Sequence, residues 1–221
     1  GSCQSQDEVA TGNSAAAGLK GENTALAWYA AAMTTSSRDQ TADSIDRHIR
    51  AWLDRFVVDL NLCPFARPVV TSKALRIVVC SEADPQSIAR AVMAELDLLQ
   101  QSAETEIATT LLVFQYALTD FNDYLGVIET AEALLQELGL SGVIQLASFH
   151  PDYLFAGEAR EAVSHFTNRA PYPIIHFLRE DMLSRALTHY VDPEQIPLRN
   201  IQTLESLGRD RIQQMLQALA R

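Results

Sequence analysis

The fold class is indicated most clearly by LRIVVCSEADPQSIARAVMAELDLLQQSAETEIATTLLVFQY, residues 75–116. Leu75–Cys80 is a β-branched run typical of a buried strand. Asp84-Pro85 predicts a helix start, because aspartate caps helices and proline suits the first helical position. Apolar residues then recur at helical spacing, and Thr109–Tyr116 predicts a second strand. A strand, a helix and a second strand in this order predict two parallel strands joined by a right-handed crossover.

The strand–helix pattern repeats further along the chain. A helix beginning at Asp120 and closed by Gly139 is followed by a third predicted strand, Val143–Phe149. A long polar connection then leads to a fourth predicted strand, Pro173–Leu178, and to three carboxyl-terminal helices. We therefore expect an α/β fold with about four strands, mostly parallel, helices packed on the sheet and a helical carboxyl terminus.

The direction of the fourth strand is open at this stage. Prolines at 171 and 173 suit a strand start or a sheet edge. An antiparallel fourth strand needs only one loop to join it to the end of the third strand, so connection economy favours that direction.

Two regions of different composition divide the chain. Residues 1–40 are rich in Ser, Gly, Ala and Thr, which predicts a disordered or loosely ordered extension with one short helix at residues 25–33. A sharply periodic helix begins near Asp43 and should end near Leu62, since Pro64 disfavours helical geometry in the residue before it. We expect residues 41–221 to form a single α/β domain.

Charge and cysteine content narrow the function classes. The net charge is −11, which disfavours nucleic acid and acidic membrane surfaces as partners. Three cysteines without a CxxC pair argue against a disulfide framework or a zinc ribbon. No apolar run has the length of a membrane span, so a cytoplasmic protein is the expectation. Cofactor and oligomeric state are not indicated.

The pattern of polar residues predicts a functional site in the segment Ser148–Arg179. His150 and Asp152 follow the third strand directly, and ligands of open α/β sheets bind beyond the carboxyl ends of strands. Asn168 and Arg169 return to the same edge if the fourth strand is antiparallel. The set predicts acid–base chemistry on an anionic substrate, with His150 and Asp152 catalytic and the arginine binding the anion. Further substrate-binding candidates are Asn168, Tyr153 and Tyr172.

Several alternatives stay open beside that hypothesis. The same polar residues would also serve to hold a long loop against the body of the domain. A non-catalytic binding or assembly protein would instead use the 149–172 loop as a partner surface, with an exposed apolar patch. A metal site is a further hypothesis, although no recognised ligand spacing is present. The apolar patch would consist of Phe149, Tyr153, Phe155 and Tyr172. The metal ligands would come from His150, Asp152, His165 and His176.

Cys63 is a second catalytic candidate. If it ends the first helix, the helix dipole makes its thiol inert. If Pro64 starts a new helix, Cys63 caps it and its thiolate is favoured. Thiol chemistry would require Cys63 to be reachable and close to His150. Free cysteines are more often buried without a function than reactive. We expect this for Cys80, which lies inside a predicted strand.

Several blocks together resemble a known family. They are Asn61–Ala66, Thr110–Val113, Ala147–Tyr153, Phe155–Gly157, Thr167–Pro173, Leu178–Glu180 and Asn200–Gly208. The sequence resembles the bacterial domain-of-unknown-function family 1415 over about residues 44–215. The resemblance implies a compact bacterial domain with these recurring blocks and carries no established activity, so whether the protein is an enzyme stays open.

Overall fold

The computed structural model describes residues 41–188 and 190–219. The described residues from Ala42 onward belong to one compact unit. The amino-terminal extension, with the short helix predicted at residues 25–33, lies outside the described residues. Among those described, no helix combines the length and apolar content that a membrane crossing requires.

The helices follow the predicted order with shifted ends. Helix α1 covers residues 41–52 and continues as a π-helical turn, Leu53–Val58, so it ends before the predicted Leu62. A short helix, α2, begins at Ala66 and not at Pro64, and Phe65 is its N-cap. The remaining helices are α3 (Pro85–Gln101), α4 (Phe121–Glu137), α5 (Glu180–Thr188), α6 (Ile196–Leu207) and α7 (Arg209–Ala218), with 3₁₀ turns at Val163–Asn168 and Pro193–Gln195.

One four-stranded sheet organises the fold. Its strands are β1 (Leu75–Cys80), β2 (Thr109–Phe114), β3 (Ile144–Phe149) and β4 (Ile174–Arg179), in the order β1-β2-β4-β3. The antiparallel direction favoured for β4 is confirmed, because β4 pairs antiparallel with both β2 and β3. The expectation of a mostly parallel sheet is wrong. Insertion of β4 between β2 and β3 leaves β1–β2 as the parallel pair and makes the sheet mixed.

Apolar side chains cover both faces of the sheet, which explains the continuous hydrophobic strands. On one face α3 and α4 pack against Leu112, Phe114, Ile175 and Phe177. On the other face α1, α6, α7 and the Val163–Asn168 turn pack against Leu111, Val113 and Ile174. Cys80 is buried within β1, as expected. The result is a three-layer α/β/α arrangement.

Tyr124 of α4 fixes the edge of the sheet where the long connection begins and ends. Its buried hydroxyl donates to the Ile174 carbonyl at 2.7 Å and accepts from the Phe149 N–H at 3.0 Å. Burial raises the pKa of Tyr124 well above its ordinary value. The side chain thus ties the start of β4 to the end of β3.

Candidate functional site

The candidate site lies where β1, β2 and β3 end and β4 begins. The connection between Phe149 and Ile174 crosses this edge of the sheet, and the 3₁₀ turn Val163–Asn168 within it packs on α6. The His150 N–H donates to the Asn168 carbonyl at 3.1 Å. The two ends of the connection therefore meet, as the sequence predicted for an antiparallel β4.

His150 itself is fully buried and faces backbone on both sides. Its Nδ1 accepts from the Asp152 N–H at 3.0 Å, which leaves the ring proton on Nε2 to donate to the Leu118 carbonyl at 2.9 Å. The ring also packs beside Phe121 and Tyr124. Both ring nitrogens are thus engaged with main chain. In this geometry neither ring nitrogen of the predicted catalytic His150 is free to contact a substrate.

His165 repeats the same arrangement within the connection. It is fully buried, its Nδ1 accepts from the Phe155 N–H at 3.1 Å, and its Nε2 donates to the Ala159 carbonyl at 2.8 Å. The two histidines satisfy main-chain groups that a long buried loop would otherwise leave unpaired. Their role in this geometry is to hold residues 150–165 in place.

Asn168 and Arg169 diverge although they are adjacent. Asn168 is the last residue of the 3₁₀ turn Val163–Asn168, and the chain continues in an extended conformation at Arg169, with φ −83° and ψ 132°. The Asn168 amide donates to the Ser148 carbonyl and lines one cleft, whereas Arg169 lines another. The predicted convergence of His150, Asp152, Asn168 and Arg169 therefore does not occur.

The cleft that Arg169 lines is here called the arginine cleft. It has a volume of about 570 Å³ and carries three guanidinium groups, from Arg160, Arg169 and Arg209. Asp152 and Asp120 supply its carboxylates. The remaining lining residues are Thr119, Phe121, Asn122, Leu154 and Gln213. Of the predicted site residues, Asp152 and Arg169 share this cleft.

Phe166 supports two of the three guanidinium groups. The Cζ atom of Arg169 lies 4.5 Å from the centre of its ring, and that of Arg209 lies 5.8 Å from the same centre. Arg169 also donates from Nε to the Tyr153 carbonyl, and Arg209 donates to the Glu161 carbonyl at 2.8 Å. Phe166 is buried, so both side chains are held over a rigid base.

The charges around Arg169 are unbalanced. Within the described residues, no carboxylate lies within ion-pair distance of Arg160, Arg169 or Arg209. Burial lowers the pKa of Arg169, the nearby charge of Arg209 lowers it further, and Asp152 acts in the opposite direction. The arginine cleft thus brings like charges together in an otherwise acidic protein.

The cleft that Asn168 lines is here called the thiol cleft. It has a volume of about 640 Å³ and mainly apolar walls, with Cys63 and Asn200 among its polar residues. The other lining residues are Val57, Leu62, Phe149, Phe155, Ala156, Glu158, Ser164, Thr167, Pro197 and Ile201. Cys63 is partly exposed, and no histidine lines this cleft, so the Cys–His pair that thiol catalysis required is not formed there.

The family assignment follows from a comparison with known family models. The model described as "Protein of unknown function (DUF1415)" matches residues 44–214. The chain belongs to this family. No curated protein and no solved structure matches it. Family membership therefore supports the predicted resemblance and brings no activity with it.

The aromatic residues of the DUF1415 connection pack against the body of the domain. Phe149 contacts Trp52, and Tyr172 contacts His48, each edge-on. Tyr153 lies between Phe121 and Phe155. Neither tyrosine lines the arginine cleft or the thiol cleft, so the substrate contacts predicted for them are not seen there. The Tyr153 carbonyl nevertheless accepts a hydrogen bond from Arg169 of the arginine cleft.

The ligand set proposed for a metal is also dispersed. His150 and His165 are engaged with the backbone, and His176 lies in the middle of β4 with its Nε2 2.7 Å from the Thr109 hydroxyl oxygen. Within the described ranges, no group of three or more His, Cys, Asp or Glu side chains is arranged to hold a metal ion.

Sequence reasoning missed most residues of the two clefts as candidates, including two arginines, a serine and an asparagine. Arg160 and Arg209 complete the arginine cleft, and Ser164 and Asn200 line the thiol cleft. Asn200 stood within a block quoted for the family resemblance, which was a usable signal. The arginines gave none, because single surface arginines outside any motif are common in globular chains.

Proposed function

We propose that this protein binds a small anionic molecule in the arginine cleft. The observation that carries the proposal is the stacking of Arg169 and Arg209 on one buried ring, Phe166, without a carboxylate within ion-pair distance of either. The charge of Arg209 acts unfavourably on that of Arg169, and an anion bound by both guanidinium groups would offset that repulsion. Guanidinium groups also bind carboxylates and phosphates with two parallel hydrogen bonds.

The size and position of the cleft favour a metabolite-sized ligand. A volume of about 570 Å³ is within the range of small-molecule pockets. The cleft lies beyond the carboxyl ends of the strands, where α/β proteins bind ligands. Arg160 is exposed and makes no hydrogen bond in the described part of the chain, so its side chain is available to an incoming anion.

Asp152 is the candidate for proton transfer within this cleft. It is exposed, lines the cleft and is close enough to influence Arg169 electrostatically. An acid–base role for Asp152 would make the protein an enzyme acting on the bound anion. Binding is the primary proposal, and this chemical step is its extension.

The aromatic packing disfavours the alternative of a partner surface on the 149–172 loop. That alternative needs an exposed apolar patch. The four aromatic residues expected to form the patch are each partly buried and packed against other rings. The polar, concave arginine cleft fits ligand binding better.

Calorimetric titration with inorganic phosphate and with succinate, at ionic strength held constant with sodium chloride, tests the proposal. We expect saturable binding to the unmodified protein. Hydrogen bonds to charged groups contribute about 1.5–3 kcal/mol each, so Arg169→Gln and Arg209→Gln should each weaken binding at least about tenfold. Arg160→Gln changes an exposed residue and should weaken it about two- to fivefold without affecting folding.

Arg211→Gln is the matched control. Arg211 lies on α7 two residues after Arg209, is exposed and does not line the arginine cleft. Its substitution removes the same charge and should leave the affinity within about twofold. An equal loss for Arg211→Gln, or no saturable binding of either anion, would refute the proposal.

A further inference from the structure

The thiol cleft differs from the arginine cleft in having no cationic lining residue. Glu158, at the mouth, is its charged residue among those described. Phe149, Phe155, Val57, Ile201 and Pro197 form apolar walls. Such a surface disfavours anions and favours burial of an uncharged ligand.

Two polar groups in the thiol cleft are without partners. Ser164 is 8% exposed, and its hydroxyl makes no hydrogen bond to any described residue. Asn200 donates from Nδ2 to the Leu62 carbonyl at 2.7 Å, and its Oδ1 accepts no hydrogen bond within the described residues. An unpaired buried hydroxyl is destabilising, and a hydrogen-bonding ligand group at this position would satisfy it.

Cys63 is held at the same wall in its neutral form. Burial raises the pKa of its thiol, although the N–H groups of Phe65 and Ala66 act in the opposite direction. The Cys63 carbonyl accepts from the Ala66 N–H at 3.1 Å and so fixes the turn that carries the thiol. Thiolate chemistry is not favoured at neutral pH, and the sulfur serves as a polarisable contact.

The opposite wall depends on a glycine turn. The Glu158 N–H donates to the Phe155 carbonyl at 3.3 Å, and Gly157 within this turn has φ +82°. Residues other than glycine rarely adopt that backbone conformation. Gly157 therefore suits the turn that carries Phe155 and Ala156 at the cleft. His165, which accepts from the Phe155 N–H, fixes the start of the same turn.

From these observations we infer a second binding site: the thiol cleft binds an uncharged, largely apolar small molecule with hydrogen-bonding groups, seated against Cys63, Ser164 and Asn200. The site is distinct from the arginine cleft in charge and in lining residues. It does not depend on the anion-binding proposal, and either one can fail alone.

A series of maleimides tests this inference through the rate at which each modifies Cys63. The probes are N-methyl-, N-ethyl- and N-propylmaleimide, together with 3-maleimidopropionic acid as the charged counterpart. The protein is the full chain with Cys3→Ser, peptide mass spectrometry identifies the modified site, and every rate is divided by that of an uncharged cysteine peptide. Buried Cys80 serves as the internal unreactive thiol.

If the cleft is apolar, the normalised rate at Cys63 should rise with the length of the alkyl chain. Each buried methylene contributes enough to raise the normalised rate at Cys63 about two- to fourfold, and the carboxylate probe should lose this gain. Glu158→Gln should restore part of the rate of the carboxylate probe while leaving the uncharged probes unchanged. Equal normalised rates along the alkyl series, an unreactive Cys63 or a preference for the carboxylate probe would overturn the inference.

A pair of alanine substitutions shows where the probes bind. Ala156 lines the cleft, and Ala159, also exposed, lies three residues away outside it. Ala156→Trp should occupy the cleft and remove the dependence on alkyl length, whereas Ala159→Trp should retain it. Persistence of the alkyl dependence in Ala156→Trp would place the probes elsewhere and refute the site.

Discussion

The arginine cleft and the thiol cleft are built from one connection and have opposite chemistry. Three guanidinium groups line the first, whereas a single carboxylate and apolar side chains dominate the second. The boundary between them falls at one peptide, because Asn168 and Arg169 face different clefts. A contiguous polar motif in the sequence thus supplies two sites, because the 3₁₀ turn ends at Asn168 and the chain continues extended at Arg169.

Two buried histidines hold the connection from which both clefts are built. His165 bonds to the main chain of the connection itself, and His150 bonds to that of Asp152 and of Leu118 outside it, and no histidine of the described residues lines either cleft. The histidines of the motif thus support the backbone, whereas its arginine and asparagine side chains face the clefts.

Removal of the His150 ring should have the largest effect on stability. His150→Ala leaves the Asp152 N–H and the Leu118 carbonyl unpaired in a fully buried site and creates a cavity. We expect a loss of about 3–5 kcal/mol in the free energy of unfolding, measured with urea. Asp152→Asn, which keeps the backbone N–H, should change it by less than about 0.5 kcal/mol. Normal stability of His150→Ala would argue for a role in chemistry instead.

The pH dependence of stability should reflect His176, which lies on β4 and lines neither cleft. Burial lowers the pKa of His176 from 6.5 to about 4, so as pH falls the unfolded chain takes up the proton first. Stability should be full above pH 6.5 and decrease toward pH 4, by about 3 kcal/mol for this group. His176→Gln should lack that component of the decrease in urea unfolding. Identical pH profiles for the two proteins would show that His176 titrates normally.

The smallest predicted effect concerns the acidic residue of the arginine cleft. Asp152 opposes the influence of Arg209 on Arg169. Removing its charge in Asp152→Asn should tighten phosphate binding about two- to threefold, which corresponds to about 0.5 kcal/mol for an exposed charge pair. The alkyl dependence at Cys63 should stay the same. Weaker phosphate binding would mean that Asp152 contacts the anion as an acid.

Local patterns predicted the elements of the fold well. The β-branched run at Leu75–Cys80 and the Asp84-Pro85 helix start both formed as expected, because short-range propensity and capping determine them. Strand order did not follow from such patterns. The insertion of β4 between β2 and β3 depends on long-range pairing that the sequence of β4 does not encode locally.

The candidate site was predicted in position and only partly in composition. The edge of the sheet and the residues Asp152, Arg169, Asn168 and Cys63 were found from the sequence, but their division between two clefts was not. Whether His150 faces solvent or backbone depends on Leu118, 32 residues earlier, and no local pattern contains that contact. Arg209, from the carboxyl-terminal helix, was missed for the same reason.

The central claim is that an anion binds between Arg169 and Arg209, and side-chain NMR during a phosphate titration tests it most directly. The account predicts that the Nε–H signals of these two arginines shift together with a single dissociation constant, while those of Arg211 and the backbone amides of Cys63 and Asn200 stay in place. Saturable shifts at the thiol cleft, or unshifted Arg169 and Arg209 signals at saturating phosphate, would contradict it.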